Sequence, residues 1–183
     1  MTRVLDAAAI TKALDAMADE IAGRAEDGPW AIVGIRRGGE HLARRLTERL
    51  RKKVGQDKVV LGFVDITLYR DDGFGPNDWP EIGATDVLFA PRDYTVVLVD
   101  DVLYTGRTVR SALDVMLDYG RPRAVRLAVL VDRGLRELPI SADFVGHRMT
   151  TAANERVDVR LTESGAAEDE VEVSERVHKK GRA

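Results

Sequence analysis

The sequence lacks cysteine, long apolar runs and a strong excess of either charge. Because it has no cysteine, it cannot form disulfides or thiolate metal sites, and a cytoplasmic location is expected. No apolar run approaches the roughly 18 residues that a membrane helix needs, and residues 1–6 lack the apolar core of a secretion signal, so no membrane association is expected. The net charge of −3 gives no general attraction to nucleic acid. An RNA surface would therefore have to be a local basic patch.

Helical patterns alternate with short apolar runs along the 183 residues. This alternation predicts an α/β protein with a mainly parallel central sheet flanked by helices. Apolar residues spaced three and four apart predict helices over 7–25, after Gly39 and after Thr108. The apolar runs predict strands at 30–35, 59–68, 96–99 and 125–131, with shorter candidates at 143–146 and 157–161. No linker or internal repeat divides the chain, so a single domain spanning 1–183 is predicted.

The most informative stretch runs from Val96 to Thr108. Four apolar residues lead into Asp100 and Asp101, and a turn containing hydroxyl side chains and glycine then leads into a helix. A continuous apolar run suits a strand buried on both faces, and ligands bind where loops leave the carboxyl ends of such strands. Two adjacent acids alone could belong to a solvated loop. Their position between a buried strand and a Thr-Gly-Arg-Thr helix entry favours a functional role.

The turn of residues 103–108 predicts an anion cradle. It offers consecutive backbone N–H groups, the hydroxyls of Thr105 and Thr108, the side chain of Tyr104, and the cation Arg107 at the positive end of a helix. The two carboxylates before the turn should not face a phosphate and suit neutral hydroxyls instead. The expected ligand is therefore a sugar ring with a phosphate on one arm.

The pattern over 96–108 resembles the phosphoribosyl diphosphate signature of the type I phosphoribosyltransferases. The resemblance implies that Asp100 and Asp101 hold the ribose 2′- and 3′-hydroxyls, and that residues 103–108 wrap the 5-phosphate. It also implies the type I phosphoribosyltransferase fold, with a flexible flap loop at about 70–85 and a small hood from about 133 to 183 with N-terminal contributions. Residues 178–183 are expected to form a frayed tail.

Three blocks, at 65–72, 101–108 and 130–140, narrow the resemblance to one bacterial family, the bifunctional pyrimidine operon attenuation regulators and uracil phosphoribosyltransferases. Membership implies that uracil and phosphoribosyl diphosphate are converted to UMP and diphosphate. It implies binding of pyrimidine operon mRNA in response to uridine nucleotides such as UMP and UTP, and a homodimer or higher homo-oligomer. Mg²⁺ is expected to bind mainly through diphosphate and ribose oxygens and water. No metal ligand from protein side chains is expected, because His41, His147 and His178 share no ligand spacing.

A second anion loop is predicted at residues 36–39. Its glycines let backbone amides approach a departing diphosphate while arginine supplies counter-charge. The family usually places an arginine where this chain has Gly38, and Arg37, one residue earlier, is expected to substitute. The candidate residues for phosphoribosyl diphosphate or nucleotide are Arg36, Arg37, Gly38, Gly39, Asp100, Asp101, Val102, Leu103, Tyr104, Thr105, Gly106, Arg107 and Thr108.

The candidate catalytic residues are Asp100, Asp101 and Arg70. Arg70 lies at the root of the flap, where it is expected to close over the pyrophosphate and stabilise charge on the leaving group. Asp132 and Arg133 follow another strand and are candidates for contacting the base. A structural pair between these two side chains is the alternative.

Candidates for an RNA surface can also be compared with the family pattern. In relatives it is attributed to the first helix and to the segment after the third block. Here the helix carries Asp15 and Asp19, and the later segment has Ser141 and His147 where relatives have basic residues. The remaining RNA candidates are Arg24, Arg136 and Arg148. Three alternatives stay open: a transferase that has lost RNA binding, a regulator that keeps the site only as a nucleotide sensor, and a transferase for another base, such as a purine.

Overall fold

The computed structural model describes residues 1–24, 28–69 and 83–175. The helices are α1 Ala7–Gly23, α2 Gly39–Val54 and α3 Arg107–Asp118. The strands are β1 Thr2–Leu5, β2 Trp30–Ile35, β3 Val59–Val64, β4 Thr95–Leu103, β5 Ala124–Asp132, β6 Phe144–Arg148, β7 Glu155–Arg160 and β8 Glu170–Glu175. No helix in these ranges is both long and apolar enough to cross a membrane.

The main sheet has the strand order β3-β2-β4-β5-β6, and all of its neighbouring strands are parallel. This confirms the predicted α/β architecture. Because β3 and β4 lie on opposite sides of β2, the strand order reverses between β2 and β4. Ligands of open parallel sheets bind outside the carboxyl ends of the strands at such a reversal. The loops that follow β2 and β4 are the two predicted anion loops, so the topology places them side by side.

Alternating side chains of the sheet form two cores. On one face, Ile32 and Val97 pack with α1 and α2. On the other face, Val33 and Leu98 pack with α3. All four residues are fully buried, which explains why strands β2 and β4 read as continuous apolar runs in the sequence. Burial of an aliphatic side chain of this size contributes about 1.5–3 kcal/mol.

A second, antiparallel sheet has the order β1-β8-β7. The sequence analysis did not predict β1. The sheet is tied to α2 by Arg45, which forms ion pairs with Glu163 and Asp169. Residues 144–148, which lie inside the segment 133–183 assigned to the hood, form β6 of the main sheet instead.

Several predicted boundaries were wrong. The strand predicted over 59–68 ends at Val64, because the Asp65 carboxylate accepts a hydrogen bond from the backbone N–H of Thr67 and starts a turn. The strand predicted to end at 99 continues to Leu103. Helix α1 ends at Gly23, two residues before the predicted end. Residues 70–82 of the flap predicted at about 70–85, Arg70 among them, and the tail at 178–183 lie outside the described residues.

Candidate active site

The two adjacent carboxylates lie within β4, not after it. Asp100 pairs with Val129 of β5, and the ladder resumes at Val102. Asp100 is 5% exposed. Its carboxylate accepts a hydrogen bond from the N–H of Asp101 at 3.0 Å, and the Asp101 carboxylate accepts one from the N–H of Val102 at 2.7 Å. The strand therefore holds both acids in fixed positions at the carboxyl end of the sheet.

The same burial makes ionisation of the pair unfavourable. Burial, reinforced by the negative charge of Asp101, raises the pKa of Asp100 well above its ordinary range. Burial also raises the pKa of Asp101, and the Asp158 carboxylate on β7 adds to this effect. Perturbed, interacting carboxylates of this kind are characteristic of functional sites. Hydroxyl donors or a cation placed at the pair would favour its ionised form.

Substitution of Asp100 by asparagine is expected to stabilise the ligand-free protein at neutral pH. A carboxyl group whose pKa is raised by folding contributes its full stability below its unfolded pKa, near 4, and loses that contribution as the pH rises. Asparagine stays neutral and retains an oxygen for the N–H of Asp101. Thermal unfolding should give a higher Tm for Asp100→Asn than for the wild type at pH 7–8, with the difference vanishing near pH 4. A lower Tm for the variant at pH 7–8 would contradict the burial argument.

The turn after β4 presents the start of α3 to the same edge. Gly106 has a φ of +94°, a conformation that favours glycine, and as the residue before the helix it has no side chain of its own that could bind the first N–H groups. Thr105 Oγ1 accepts a hydrogen bond from the N–H of Arg107 at 3.3 Å. The positive end of α3 thus faces the site through its backbone, which is the arrangement that binds phosphate groups.

The glycines of residues 36–39 allow the loop to pack tightly against β4. A Cβ at Gly39 would overlap the carbonyl oxygen of Val99, and one at Gly38 would lie 2.5–2.6 Å from the carboxylate atoms of Asp101. The structure therefore brings the loop directly against one of the two acids. An arginine at position 38 would need the space that Asp101 occupies. The peptide bond between Arg36 and Arg37 is cis.

Arg36 extends from this loop along the edge of β3. Its guanidinium lies 5.2 Å from the Phe63 ring centroid and 3.4 Å from the Glu40 carboxylate. Its Nε is buried and makes no hydrogen bond to any residue in the described ranges. A partly buried cation with an unused donor, beside a glycine loop, is suited to an anionic group.

Asp65 is a residue of the site that the sequence analysis missed. Its carboxylate accepts hydrogen bonds from the N–H groups of Thr67 and Gly83, which flank the segment 70–82. Although burial alone would raise it, the pKa of Asp65 is lowered by these bonds and by the charge of Arg36. The signal in the sequence was an Asp two residues before a Thr at a strand end, a common turn pattern.

The base-binding candidates Asp132 and Arg133 both contact other residues of the protein. Arg133 is 2% exposed, donates to Thr151 Oγ1 at 2.8 Å and to the carbonyl of Ala152 at 3.0 Å, and lies 4.2 Å from the Tyr104 ring centroid. Asp132 stands beside Leu103 in the ladder. The two residues are thus brought to the candidate site, with Arg133 packed behind Tyr104 of the turn.

Two of the three RNA candidates are brought together, because Arg136 and Arg148 both bind the carboxylate of Asp132. The third, Arg24, lies apart from them. Arg24 lies 4.7 Å from the ring centroid of Phe144, at the start of β6, whereas Arg148 is the last residue of that strand. A five-residue strand separates its ends by roughly 13 Å. Arg148 is exposed, but the Arg136 side chain is mostly buried.

The acids of α1 are paired with the basic face of α2. Asp15 binds Arg49 at 2.7 Å, and Asp19 binds Lys53 at 2.5 Å. These pairs neutralise two cations that could otherwise contact phosphates. The sequence analysis treated the two acids as losses from an RNA surface without foreseeing their partners on α2.

Comparison with known proteins agrees with this geometry. Residues 1–162 match the phosphoribosyl transferase domain family. The bifunctional protein PyrR of Listeria welshimeri is 51% identical over 172 residues, which cover 92% of this chain and 93% of that protein. The bifunctional protein PyrR of Geobacter sulfurreducens is 51% identical over 160 residues, covering 86% of this chain and 89% of that protein.

Solved structures agree in fold. A hypoxanthine phosphoribosyl transferase of Trypanosoma cruzi has a TM-score of 0.66 at 19% identity, over 82% of this chain and 79% of that chain. One from Staphylococcus aureus has a TM-score of 0.65 at 18% identity, with the same two coverages. At these identities the likeness establishes the fold alone, and it confirms the predicted phosphoribosyltransferase architecture. Together with the sequence relatives, it shows that the chain belongs to the phosphoribosyltransferases and, among them, to the family of bifunctional PyrR proteins.

Proposed function

We propose that the chain transfers ribose 5-phosphate from phosphoribosyl diphosphate to N1 of uracil, releasing diphosphate and forming UMP. It regulates pyrimidine operon expression as well, by binding the operon mRNA in response to the uridine nucleotide held at the same site. The proposal rests on one observation, which is that the two anion loops meet at the same carboxylate pair. A Cβ at Gly38 would touch Asp101, so ribose and diphosphate can be held side by side. Turnover of phosphoribosyl diphosphate with uracil tests it.

Asp100 and Asp101 are assigned to the ribose hydroxyls. The ligand-free pair is costly to ionise because it is buried. Hydroxyl groups that donate to the carboxylates would stabilise the charged form, so binding of the ribose would lower the pKa of the pair. Backbone hydrogen bonds from Asp101 and Val102 already fix the orientation of the acids.

The turn of residues 104–106 and the first residues of α3 are assigned to the 5-phosphate. This part of the site consists of backbone N–H groups at a helix N-terminus and the hydroxyls of Thr105 and Thr108, with Arg107 contributing charge. The loop of residues 36–39 is assigned to the diphosphate. Arg36, whose Nε makes no hydrogen bond in the described ranges, supplies the counter-charge there, and Arg37 is the second cation of the loop.

The chemistry requires positioning and charge stabilisation rather than a protein nucleophile. The bond from the ribose anomeric carbon to the diphosphate oxygen breaks, N1 of uracil forms the new bond to that carbon, and the N1 proton passes to the released diphosphate. Positive charge develops on the ribose ring, close to the Asp100–Asp101 pair, and negative charge develops on the diphosphate, close to Arg36. Fixed groups of opposite sign at both centres lower the barrier without reorganisation during the reaction.

The residues fit a Mg²⁺ ion that enters with the substrate. Carboxylate oxygens of Asp100 and Asp101 are the hard donors that Mg²⁺ prefers. Among the described residues, no group of three or more His, Cys, Asp or Glu side chains could hold a metal, so most of its ligands would be substrate oxygens and water. When bound, the ion neutralises charge on the departing diphosphate.

RNA binding is assigned to the surface around Arg148, whose side chain is 67% exposed. Substitution of Arg148 by glutamine should weaken binding of pyrimidine leader RNA, and the slope of log K against log salt should fall by about 1 in magnitude. Arg156 has a similar exposure, 66%, and lies outside the two segments linked to RNA in relatives, so Arg156→Gln is the matched control. An unchanged salt slope in Arg148→Gln would remove this residue from the RNA surface.

A second candidate function is a uracil phosphoribosyltransferase without RNA binding. The pairing of Asp15 with Arg49 and of Asp19 with Lys53 favours it, because the first helix, which relatives use, presents acids there and these acids neutralise the neighbouring cations of α2. Titration of leader RNA into the wild-type protein, with and without UMP, separates the two functions. Binding that strengthens with UMP supports the regulator, and absence of binding supports the second candidate.

We place the activity in the cytoplasm and expect self-association into a dimer or larger assembly. Leu68, Leu117 and Tyr119 are exposed apolar side chains. The hydrogen bond from Tyr69 to Asp118 holds their two segments together. An exposed apolar patch of this kind is a candidate contact between copies of the chain.

A further inference from the structure

Residues 132–140 lie against the turn of residues 103–106, here called the phosphate turn. They form hydrogen bonds to its backbone. The N–H of Arg133 donates to the carbonyl of Leu103 at 3.2 Å, and the N–H groups of Glu137 and Leu138 donate to the carbonyl of Thr105 at 3.0 and 3.1 Å. At the surface, Glu137 also pairs with Arg107 at 2.8 Å. The three backbone hydrogen bonds all act on the side of the turn made of carbonyl groups. The N–H groups that would receive a phosphate belong to the same peptide units.

Arg136 is the side chain that completes this arrangement. Its Nη1 donates to the carbonyl groups of Tyr104 at 2.9 Å, Gly134 at 3.0 Å and Leu103 at 3.3 Å. Its Nε donates to the carbonyl of Ile140 at 3.0 Å, and its Nη2 donates to the Asp132 carboxylate at 2.5 Å. The side chain is 22% exposed, so most of its donors point into the protein.

We propose that Arg136 is a positioning residue that fixes the phosphate turn of residues 103–106 for the 5-phosphate of the ligand. The inference rests on the function proposed above, because it concerns the same turn. The sequence analysis placed Arg136 among the RNA-binding residues. In the structure, its guanidinium donates to the carbonyl groups of Leu103 and Tyr104, which belong to two consecutive peptide units of the turn. Asp132 anchors the guanidinium to the end of β5.

The geometry of arginine is needed for this role. A planar guanidinium carries five N–H donors in a fixed fork, and here Nε, Nη1 and Nη2 each have a separate partner. A lysine ammonium has three donors on one atom and cannot reach Asp132, Tyr104 and Ile140 in this arrangement. Without the fork, the turn loses hydrogen bonds to two consecutive carbonyls, and its N–H groups are no longer held in one orientation.

The test compares the affinities of the full-length protein for UMP and for uridine, which lacks the phosphate. Calorimetric titration of Arg136→Gln should show UMP affinity lowered about 10- to 100-fold, the size of effect expected when binding groups are displaced by about 1 Å. Uridine affinity should be unchanged, and the KM for phosphoribosyl diphosphate should rise in parallel with the Kd of UMP. Arg136→Lys, which keeps the charge and loses the fork, should show the same selective loss. It provides the same test if the glutamine variant does not fold.

Arg51 offers a matched control. Its Nε and Nη2 both donate to the carbonyl of Val59, at 3.1 and 3.0 Å, at the opposite edge of the sheet. Arg51→Gln therefore removes comparable hydrogen bonds between an arginine side chain and the backbone. The ratio of UMP to uridine affinity in this variant should stay at the wild-type value. Circular dichroism and thermal unfolding of each variant establish that it is folded at the temperature of the titration.

Three results would overturn the inference. The first is wild-type UMP affinity in both Arg136 variants. The second is an equal loss of UMP and uridine affinity, which would indicate a general structural role. The third is loss of nucleotide-free RNA binding without any change in UMP affinity, which would make Arg136 an RNA contact. If instead the wild-type protein binds UMP no better than uridine, the proposed phosphate site itself is wrong, and this outcome is distinguishable from the other three.

Discussion

Replacement of Asp101 by asparagine is expected to slow UMP formation from uracil and phosphoribosyl diphosphate by about 100- to 1,000-fold, the usual effect of removing one preorganised group that stabilises developing charge. Asparagine has nearly the same shape, so the packing against Gly38 is retained. It lacks the negative charge, and its amide nitrogen donates where a ribose hydroxyl needs an acceptor. Because the ribose is held in both the ground state and the transition state, the loss should affect kcat and the KM for phosphoribosyl diphosphate.

The control for this change is Asp114→Asn. Asp114 lies on α3 and pairs with Arg110 at the surface at 2.9 Å, so its substitution removes one negative charge without touching β4. Initial rates of UMP formation, measured with saturating and subsaturating phosphoribosyl diphosphate, should be unchanged in this variant. Wild-type rates in Asp101→Asn would exclude the assignment of this acid to the reaction.

Replacement of Gly39 by alanine should both destabilise the fold and move the diphosphate loop. The new Cβ would overlap the carbonyl oxygen of Val99, which is backbone of the central strand and cannot rotate away. Overpacking of this kind costs about 1–3 kcal/mol or more, and for a domain of this size each kcal/mol lowers the Tm by roughly 2–4 °C. We therefore expect a Tm lowered by about 2–12 °C, together with a raised KM for phosphoribosyl diphosphate.

Gly23 provides the matched substitution. It is the last residue of α1, and a Cβ there would meet no atom within 4 Å. Alanine is favoured over glycine in a helix by up to about 1 kcal/mol, so Gly23→Ala should leave the Tm unchanged or raise it slightly. If differential scanning calorimetry gives the same Tm for both variants, the tight packing of the loop against β4 is refuted.

The parallel sheet could be predicted because its strands are buried on both faces. The continuous apolar runs at 30–35 and 96–99 indicate buried strands directly. The positions of the two predicted anion loops follow from where those runs end. Boundaries were less predictable. The acids at 100 and 101 end the apolar pattern, but the ladder with β5 continues through them to Leu103, since a strand can carry polar side chains where a ligand site opens.

The partners of charged side chains could not be predicted from sequence. Asp65 accepts a hydrogen bond from the N–H of Gly83, 18 positions away, and Arg136 donates to carbonyls more than 30 positions away. Such contacts depend on how loops from neighbouring strands meet, which no local pattern encodes. Because such contacts cannot be predicted, the sequence suggested Arg133 as a candidate base contact. In the structure its guanidinium is buried against Thr151 and Tyr104.

Strand β1 was not predicted, for a different reason. It spans only Thr2–Leu5, and its burial increases along the strand from exposed to buried. Four residues with only one buried side chain, that of Leu5, are too few to show a periodic pattern. The strand is defined by its antiparallel pairing with β8, a contact between the two ends of the chain.

The chain is proposed to use one site, between the loops after β2 and β4, to join uracil to ribose 5-phosphate. The initial rate of diphosphate release from phosphoribosyl diphosphate should be measured with Mg²⁺ and, in separate reactions, uracil, cytosine, adenine, guanine or hypoxanthine. We expect release with uracil, matched by an equal amount of UMP, and no release above background with the other bases. Release with a purine but not with uracil, or no release with any base, would contradict it.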